Sequence, residues 1–339
     1  MEFALILEWV IKSVLMLVIL IVGFAYTTYM ERKTLARMQV RYGPNRAGPF
    51  GLLQPVADGV KLIFKEELIP AKADKLIFLL APMLTVIPAL VMLAVVPFGD
   101  TVNLFGQEIS LSIAGDINVG VLYITAIASI SVYGIVLAGW SSNNKYAMMG
   151  GIRSSAQMVS YELALGLAFI GPILLASSMS LNEIVQAQGR ITWFIILQPI
   201  GMIIFFLAAM AEINRSPFDM PEAEQELTAG YHTEYSGMKF ALFMMTEYIK
   251  IIVISVIFST LFLGGYLGPF VDKVPWLGPV YLFIKTFLLI FIIIWIRATM
   301  PRIRYDRLMA FGWKILLPLA LVNVFLTGVL IILFPNLIR

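Results

Sequence analysis

The chain has 339 residues, of which 60% are hydrophobic and 13% are charged, with a mean hydropathy of +0.90. This composition excludes an ordinary water-soluble globular protein and indicates a polytopic membrane protein. With no cysteine and one histidine, the chain cannot supply thiolate-ligated iron–sulfur clusters, a bis-imidazole haem or a histidine-based zinc or di-iron site. We therefore expect it to carry no electrons itself.

Eight apolar stretches are long enough to cross a hydrocarbon core of about 30 Å as helices. The first follows an acidic start and exceeds 20 residues, which predicts a retained span and not a cleaved signal peptide. We predict an all-α fold, a single membrane domain over 1–339, with spans near 4–30, 76–97, 119–139, 156–178, 191–211, 240–263, 281–298 and 313–334.

Lysine and arginine are distributed unequally between the loops. Alternate loops carry 18 of them, against three on the opposite side. By the positive-inside tendency, the basic loops face the cytoplasm and both termini face outward. These predicted inside loops are 31–75, 140–155, 212–239 and 297–314.

The first inside loop contains a predicted amphipathic helix over 52–64 that lies at the membrane interface. One interpretation is a surface helix anchored by anionic lipid, and the other is a roof over an opening from the bilayer into a protein cavity. The preceding segment, rich in glycine and proline, predicts a fixed turn that presents Arg41 and Arg46.

The third inside loop is acidic where basic residues are expected. Residues 212–235 hold six carboxylates and His232, the only histidine. Two carboxylates about 5 Å apart repel by roughly 3 kcal/mol at an effective dielectric near 20, so such a cluster can hold protons near neutral pH. The alternative is an exposed acidic helix that Asp219 caps and the helix dipole stabilises.

Ionisable residues also lie inside predicted spans, where they usually mark ion routes. Glu162 has no charged partner on its own helix, so it is the best single candidate for a proton site. Simpler interpretations exist for others: Glu247 can pair with Lys250 one turn away, and Lys285 can reach toward the surface. We expect Glu8, Lys12 and Lys285 to be structural.

Several motifs in chain order together resemble one family. The third inside loop reads Glu212-x-x-Arg215-x-Pro217-Phe218-Asp219-x-x-Glu222-x-Glu224-x-Glu226-Leu227. It resembles the hallmark of the H-subunit family of bacterial respiratory complex I, the counterpart of mitochondrial NADH dehydrogenase subunit 1. The other matching segments are Glu31-Arg32-Lys33, Arg41-Tyr42-Gly43-Pro44-Asn45-Arg46, Gln54-Pro55-Val56-Ala57-Asp58, Gly139-Trp140-Ser141-Ser142-Asn143-Asn144-Lys145-Tyr146 and Arg297-Ala298-x-x-Pro301-Arg302-x-Arg304-Tyr305-Asp306-x-Leu308.

The resemblance implies a non-redox subunit of a proton-pumping NADH:quinone oxidoreductase in the bacterial cytoplasmic membrane. Quinone would be its substrate, whereas NADH, FMN and iron–sulfur clusters would belong to partners: peripheral, small membrane and antiporter-like subunits. Carried over by position, the quinone chamber would be bordered by Arg32, Arg37, Arg41, Arg46, Arg215, Phe218, Asp219, Glu222 and Arg297. The acidic route into the membrane would comprise Glu31, Glu162, Glu212, Glu224, Glu226 and Glu247.

Two other classes remain open. A paralogous subunit of a membrane-bound hydrogenase would share the fold and some acids, but the RYGPN turn and the complete acidic cluster favour the quinone enzyme. A stand-alone proton-coupled transporter would usually show repeats and broken helices in two halves, which the sequence does not show.

Overall fold

The computed structural model describes residues 2–104, 107–114, 117–220, 228–271 and 273–334, and these residues are mainly helical. The helices are α1 (Glu2–Met38), α2 (Gln54–Ile63), α3 (Lys75–Val91), α4 (Gly120–Ser141), α5 (Lys145–Ala176), α6 (Leu181–Arg190), α7 (Phe194–Leu197), α8 (Pro199–Glu212), α9 (Gly237–Phe262), α10 (Leu277–Thr299), α11 (Tyr305–Phe311) and α12 (Leu317–Leu333). A π-helix, Gly312–Leu316, joins the last two.

The all-α prediction missed a small hairpin in the connection between α3 and α4. Strands β1 (Thr101–Leu104) and β2 (Gln107–Ser110) pair antiparallel. The segment holds β-branched Thr101, Val102 and Ile109, which favour strand over helix in a polar connection.

Within the described residues, seven helices are long and apolar enough to cross a membrane. They are Ile6–Met38, Lys75–Val95, Gly120–Ser141, Lys145–Ala176, Gly237–Phe262, Leu277–Thr299 and Tyr305–Leu333. The stretch predicted as a span at 191–211 is instead divided between α7 and the 14-residue α8. The break falls at Gln198 (φ −130°, ψ 59°). Pro199 explains it, because proline lacks an N–H and disfavours helical geometry at the preceding residue.

Two helices extend well beyond the predicted spans. Helix α1 continues from the predicted end at 30 to Met38, and α5 begins at Lys145 instead of 156. The extra turns of α1 contain Glu31, Arg32 and Lys33, which favour helix although they are not apolar. The hydropathy pattern therefore marked the most apolar part of each helix and not its full length.

Close helix packing sets the position of the inside loops. Helix α5 contacts α4, α8 and α12, while α9 contacts α1, α3 and α10. A Cβ at Gly134 of α4 would lie 2.4 Å from Thr85 Cγ2 of α3, and one at Gly150 of α5 would lie 2.7 Å from Gly230 Cα. The third inside loop thus lies directly on the inner end of α5.

The residues expected to be structural make local contacts. Lys12 pairs with Glu8, which lies four residues earlier on the same helix. Lys285 Nζ donates to the carbonyls of Leu263, Gly265 and Leu267, at and just beyond the end of α9, at 2.7, 2.8 and 2.7 Å. The side chain also lies 5.0 Å from the Trp193 ring centre. Lys285 therefore caps the α9 C-terminus, where backbone acceptors lack helical partners.

Candidate functional site

A buried ion pair joins the third inside loop to α9. Arg215 and Glu247 are 4% and 5% exposed, and Arg215 Nη2 lies 3.2 Å from Glu247 Oε2. The Arg215 guanidinium also covers the Tyr248 ring at 4.5 Å, and the Tyr231 hydroxyl donates to Glu247 Oε1 at 3.4 Å. The carboxylate of Glu247 thus pairs directly with a cation of the loop, while Lys250 on its own helix also acts on it electrostatically.

Lys250 lies one helical turn deeper, buried between α9 and α4. Its Nζ donates to Ser131 Oγ at 2.8 Å. The negative charges of Glu212, Glu247 and Glu162 all act on it. Beside it is a cavity of about 10 Å³, as swept by the centre of a water-sized sphere, which is room for about one water. Its polar lining includes Thr85, Ser131, Asn214, Tyr231, Thr246, Glu247 and Lys250.

Glu212 and Glu162 belong to the same electrostatic group. Glu212 ends α8, is 4% exposed, and is subject to the charges of Lys250 and Glu162. Glu162, predicted without a charged partner on its own helix, is half-buried and accepts a hydrogen bond from Ser129 of α4. The structure thus brings Glu247, Lys250, Glu212 and Glu162 together, although they lie on three helices.

A second ion pair joins the C-terminal parts of α1 and α10. Glu31 is buried and pairs with Arg297. The sequence had placed these two residues in separate groups, the proton route and the quinone chamber. Nearby, Arg32 Nη1 lies 2.6 Å from Asp58 Oδ2, which fastens the amphipathic helix α2 to α1. Helix α2 itself is confirmed, and it exposes Val56, Val60 and Ile63.

Aromatic packing holds the C-terminal part of the third inside loop in place. Tyr235 stacks on Phe78 with ring centres 4.0 Å apart, and burial raises the pKa of Tyr235 to about 12. His232 packs edge-on against Tyr231 and Phe240, and burial lowers the pKa of His232 to about 4. Neither of these two rings is therefore expected to change its charge near neutral pH.

A family model described as NADH dehydrogenase matches residues 11–328. The chain belongs to the NADH dehydrogenase family. It is 52% identical over 332 residues to the second H subunit of NADH-quinone oxidoreductase from Geobacter metallireducens, with 95% of each chain covered. It is 53% identical over 313 residues to the H subunit of NADH-quinone oxidoreductase from Thermomicrobium roseum, with 90% of each covered. The resemblance stated from the sequence motifs is confirmed.

The remaining residues predicted for this family's site are spread more widely. Phe218 is buried 5.7 Å from the Tyr161 ring, and the charge of Asp219 acts on Glu247. Arg37, Arg41 and Arg46 are exposed on the first inside loop, away from the buried group. Glu222, Glu224 and Glu226, and the acidic helix predicted there, lie outside the described residues.

Sequence reasoning in terms of the family motifs missed the uncharged members of the site. Ser131, Tyr231 and Tyr248 contact Lys250, Glu247 and Arg215, respectively. A hydroxyl within an apolar span could have indicated a partner for a nearby charge. Which hydroxyl meets which charge depends on the tertiary arrangement of α4, α9 and the third inside loop, which no local pattern contains.

Proposed function

We propose that the chain is the non-redox membrane subunit of a proton-pumping NADH:quinone oxidoreductase. It helps to form the chamber that receives quinone, and it couples quinone reduction to proton translocation through buried carboxylates. The names of its relatives and the buried charges support this function. The chain would lie in the bacterial cytoplasmic membrane, with eight crossings and both termini outside.

The observation that carries the proposal is the Arg215–Glu247 pair. Arg215 belongs to the loop that also presents Phe218 and Asp219, whereas Glu247 belongs to a membrane-spanning helix. A change of charge on the loop side alters the field at Glu247, because two unit charges 4 Å apart interact by about 4 kcal/mol at an effective dielectric of 20. From Glu247 the effect reaches Lys250, and through Lys250 it reaches Glu212 and Glu162.

The quinone side of the proposal rests on the basic residues of the inside loops. Arg215, Arg297 and Arg32 are fixed by carboxylates, and Arg37, Arg41 and Arg46 present exposed cationic surface on the first loop. Helix α2, with its exposed apolar side, would border the entry from lipid. Peripheral partner subunits would complete the chamber and hold the FMN and iron–sulfur clusters, while small membrane and antiporter-like subunits would receive the effect of protonation.

The test uses the assembled enzyme with the substitution Glu247→Gln, assayed in membranes. NADH oxidation is measured with a quinone acceptor and, in parallel, with a hydrophilic acceptor that takes electrons before quinone. We expect the quinone-linked rate to fall about tenfold, which corresponds to roughly 1.4 kcal/mol on the barrier, with the hydrophilic rate unchanged.

Glu183→Gln is the matched control, since Glu183 is an exposed carboxylate on α6. It should leave both rates and proton pumping per electron at the parent values. Full quinone-linked turnover and full pumping in the Glu247→Gln enzyme would refute the proposal. Copurification of hydrogenase subunits in place of NADH-oxidising ones would assign the chain to the related hydrogenase.

A further inference from the structure

Gln157 of α5 is a neutral side chain that connects α5 to the start of the third inside loop. It is fully buried, and its Nε2 donates to the carbonyls of Ala211 and Phe218, each at 2.7 Å. A longer contact of 3.2 Å reaches Asn214 Oδ1. An amide nitrogen carries two hydrogens, so the two short bonds use both of them.

The two carbonyls occupy specific places in the chain. Ala211 immediately precedes Glu212, and Phe218 immediately precedes Asp219. Between them the backbone turns sharply, with Asn214 in the left-handed region at φ 58° and the Phe218 N–H bonded to the Arg215 carbonyl at 2.9 Å. One amide group therefore binds the peptide carbonyl just before Glu212, an acid of the proposed route into the membrane, and the carbonyl just before Asp219, an acid of the loop.

We infer that Gln157 is a positioning residue that fixes Glu212 and Asp219 relative to each other. The inference rests on the proposed function, since it assigns the coupling between these two acids to a rigid backbone connection. Electrostatic coupling falls with distance, so a turn free to open would weaken it. Because Gln157 is uncharged and lies on α5, it can hold the turn without disturbing either titration.

Two substitutions separate positioning from packing. Gln157→Leu has similar volume but donates nothing. Gln157→Glu keeps the shape, and it can donate one hydrogen bond only while the acid is neutral. The matched control is Gln188→Leu: Gln188 is equally buried, donates to the Thr260 carbonyl at 2.8 Å and accepts from the Gly264 N–H at 2.8 Å, at the opposite end of α9.

The assay is again NADH oxidation by the assembled enzyme with quinone and with the hydrophilic acceptor, and the quantity compared is the ratio of the two rates. We expect Gln157→Leu to lower this ratio about tenfold, because a small displacement of positioned groups is enough to slow a reaction strongly. The ratio for Gln157→Glu should rise relative to the parent as pH is lowered, because the neutral acid restores one bond. Gln188→Leu should reduce the amount of assembled enzyme and leave the ratio unchanged.

A Gln157→Leu enzyme with the parent ratio, or a Gln157→Glu enzyme with the parent pH profile, would overturn the inference. Should Gln157→Leu fail to assemble, the Gln157→Glu profile decides alone. Failure of the proposed function looks different, since it appears as full turnover and pumping in Glu247→Gln. Impairment by Glu247→Gln together with a normal Gln157→Leu enzyme would reject the positioning role only.

Discussion

Glu162 accepts a hydrogen bond from Ser129, and its charge acts on both Lys250 and Glu212. Replacing it with glutamine keeps the size and one accepting oxygen but removes the titration. We therefore expect Glu162→Gln to assemble normally and to pump fewer protons per electron. Proton uptake by reconstituted vesicles, measured against NADH consumed, provides the test.

The exposed Glu183 provides the comparison, because Glu183→Gln removes the same charge from the surface of α6. It should pump as the parent does. Unchanged pumping and turnover in Glu162→Gln would assign Glu162 a structural role, as a hydrogen-bonding partner that connects α5 to α4.

His232 predicts a pH dependence of stability. In the folded chain its pKa falls from an ordinary 6.5 to about 4 because the ring is buried. Between these two values the unfolded chain binds a proton that the folded chain does not, so stability should decrease as pH falls from 6.5 toward 4. His232→Phe keeps an aromatic ring beside Tyr231 and Phe240 but removes the titration, and the decrease should become shallower.

The measurement is the apparent Tm of the assembled enzyme at a series of pH values. Above pH 6.5 the Tm curves of the parent and the His232→Phe enzyme should run parallel, separated only by a constant difference due to packing. Identical slopes between pH 6.5 and 4 would show that other groups cause the acid sensitivity.

The charged residues of the site could be predicted from the sequence, but their partners could not. Glu162, Glu212 and Glu247 are visible because a charge in an apolar run costs several kcal/mol and so calls for an explanation. Spacing suggested Lys250 as the partner of Glu247, yet the chain brings Arg215 there from a loop. Gln157 gave no signal at all, because a neutral amide in an apolar stretch does not alter the charge pattern.

At the level of helices, the cap on α9 is held by a residue of α10. Lys285 Nζ donates to the carbonyls of Leu263, Gly265 and Leu267. Lys285→Met keeps the stem and removes all three bonds. We expect a loss of about 2 kcal/mol, because water can replace part of the interaction at this partly buried site. The apparent Tm of the assembled enzyme should fall by several degrees.

Lys273→Met is the comparison for this helix cap. Lys273 is exposed and its Nζ lies 6.0 Å from the Phe270 ring centre, so its removal should change the Tm little. An equal loss from both variants would mean that positive charge, and not capping, stabilises this end of the molecule.

Helix positions followed from hydropathy, whereas helix ends and the break at Gln198 did not. Apolar windows locate the apolar part of a helix, and α1 and α5 both extend beyond it through residues that are less apolar. The dipeptide Gln198-Pro199 inside the stretch at 191–211 was a local signal for the break. The span at 191–211 was predicted from apolar length alone, and a single proline does not exclude a spanning helix.

For the whole molecule, the number of crossings depends on whether α7 and α8 together form one. Helix α8 alone, with 14 residues, is about 21 Å long, whereas the 19 residues from Phe194 to Glu212 would reach about 28 Å only as one straight helix. Gln198 at the break is 4% exposed and donates to Thr327 Oγ1 of α12 at 2.8 Å, so the break itself is packed inside the protein, although Ile196 beside it is exposed. This satisfies the condition under which an irregular backbone is tolerated at membrane depth.

The distribution of charge then decides the topology that we predict. If α7 and α8 cross together, the chain crosses eight times and the basic loop 297–314 shares a side with loop 31–75. If they do not, every later element changes sides, and the five basic residues of 297–314 face outward against the positive-inside tendency. We therefore expect a reporter fused after Arg339 to be active only outside the cytoplasm.

Because the chain has no cysteine, Lys273→Cys and Arg304→Cys give a second test with a membrane-impermeant thiol reagent. Lys273→Cys should be labelled in intact cells, and Arg304→Cys only after the membrane is opened. Labelling of Arg304→Cys but not Lys273→Cys in intact cells, together with a cytoplasmic reporter after Arg339, would establish seven crossings.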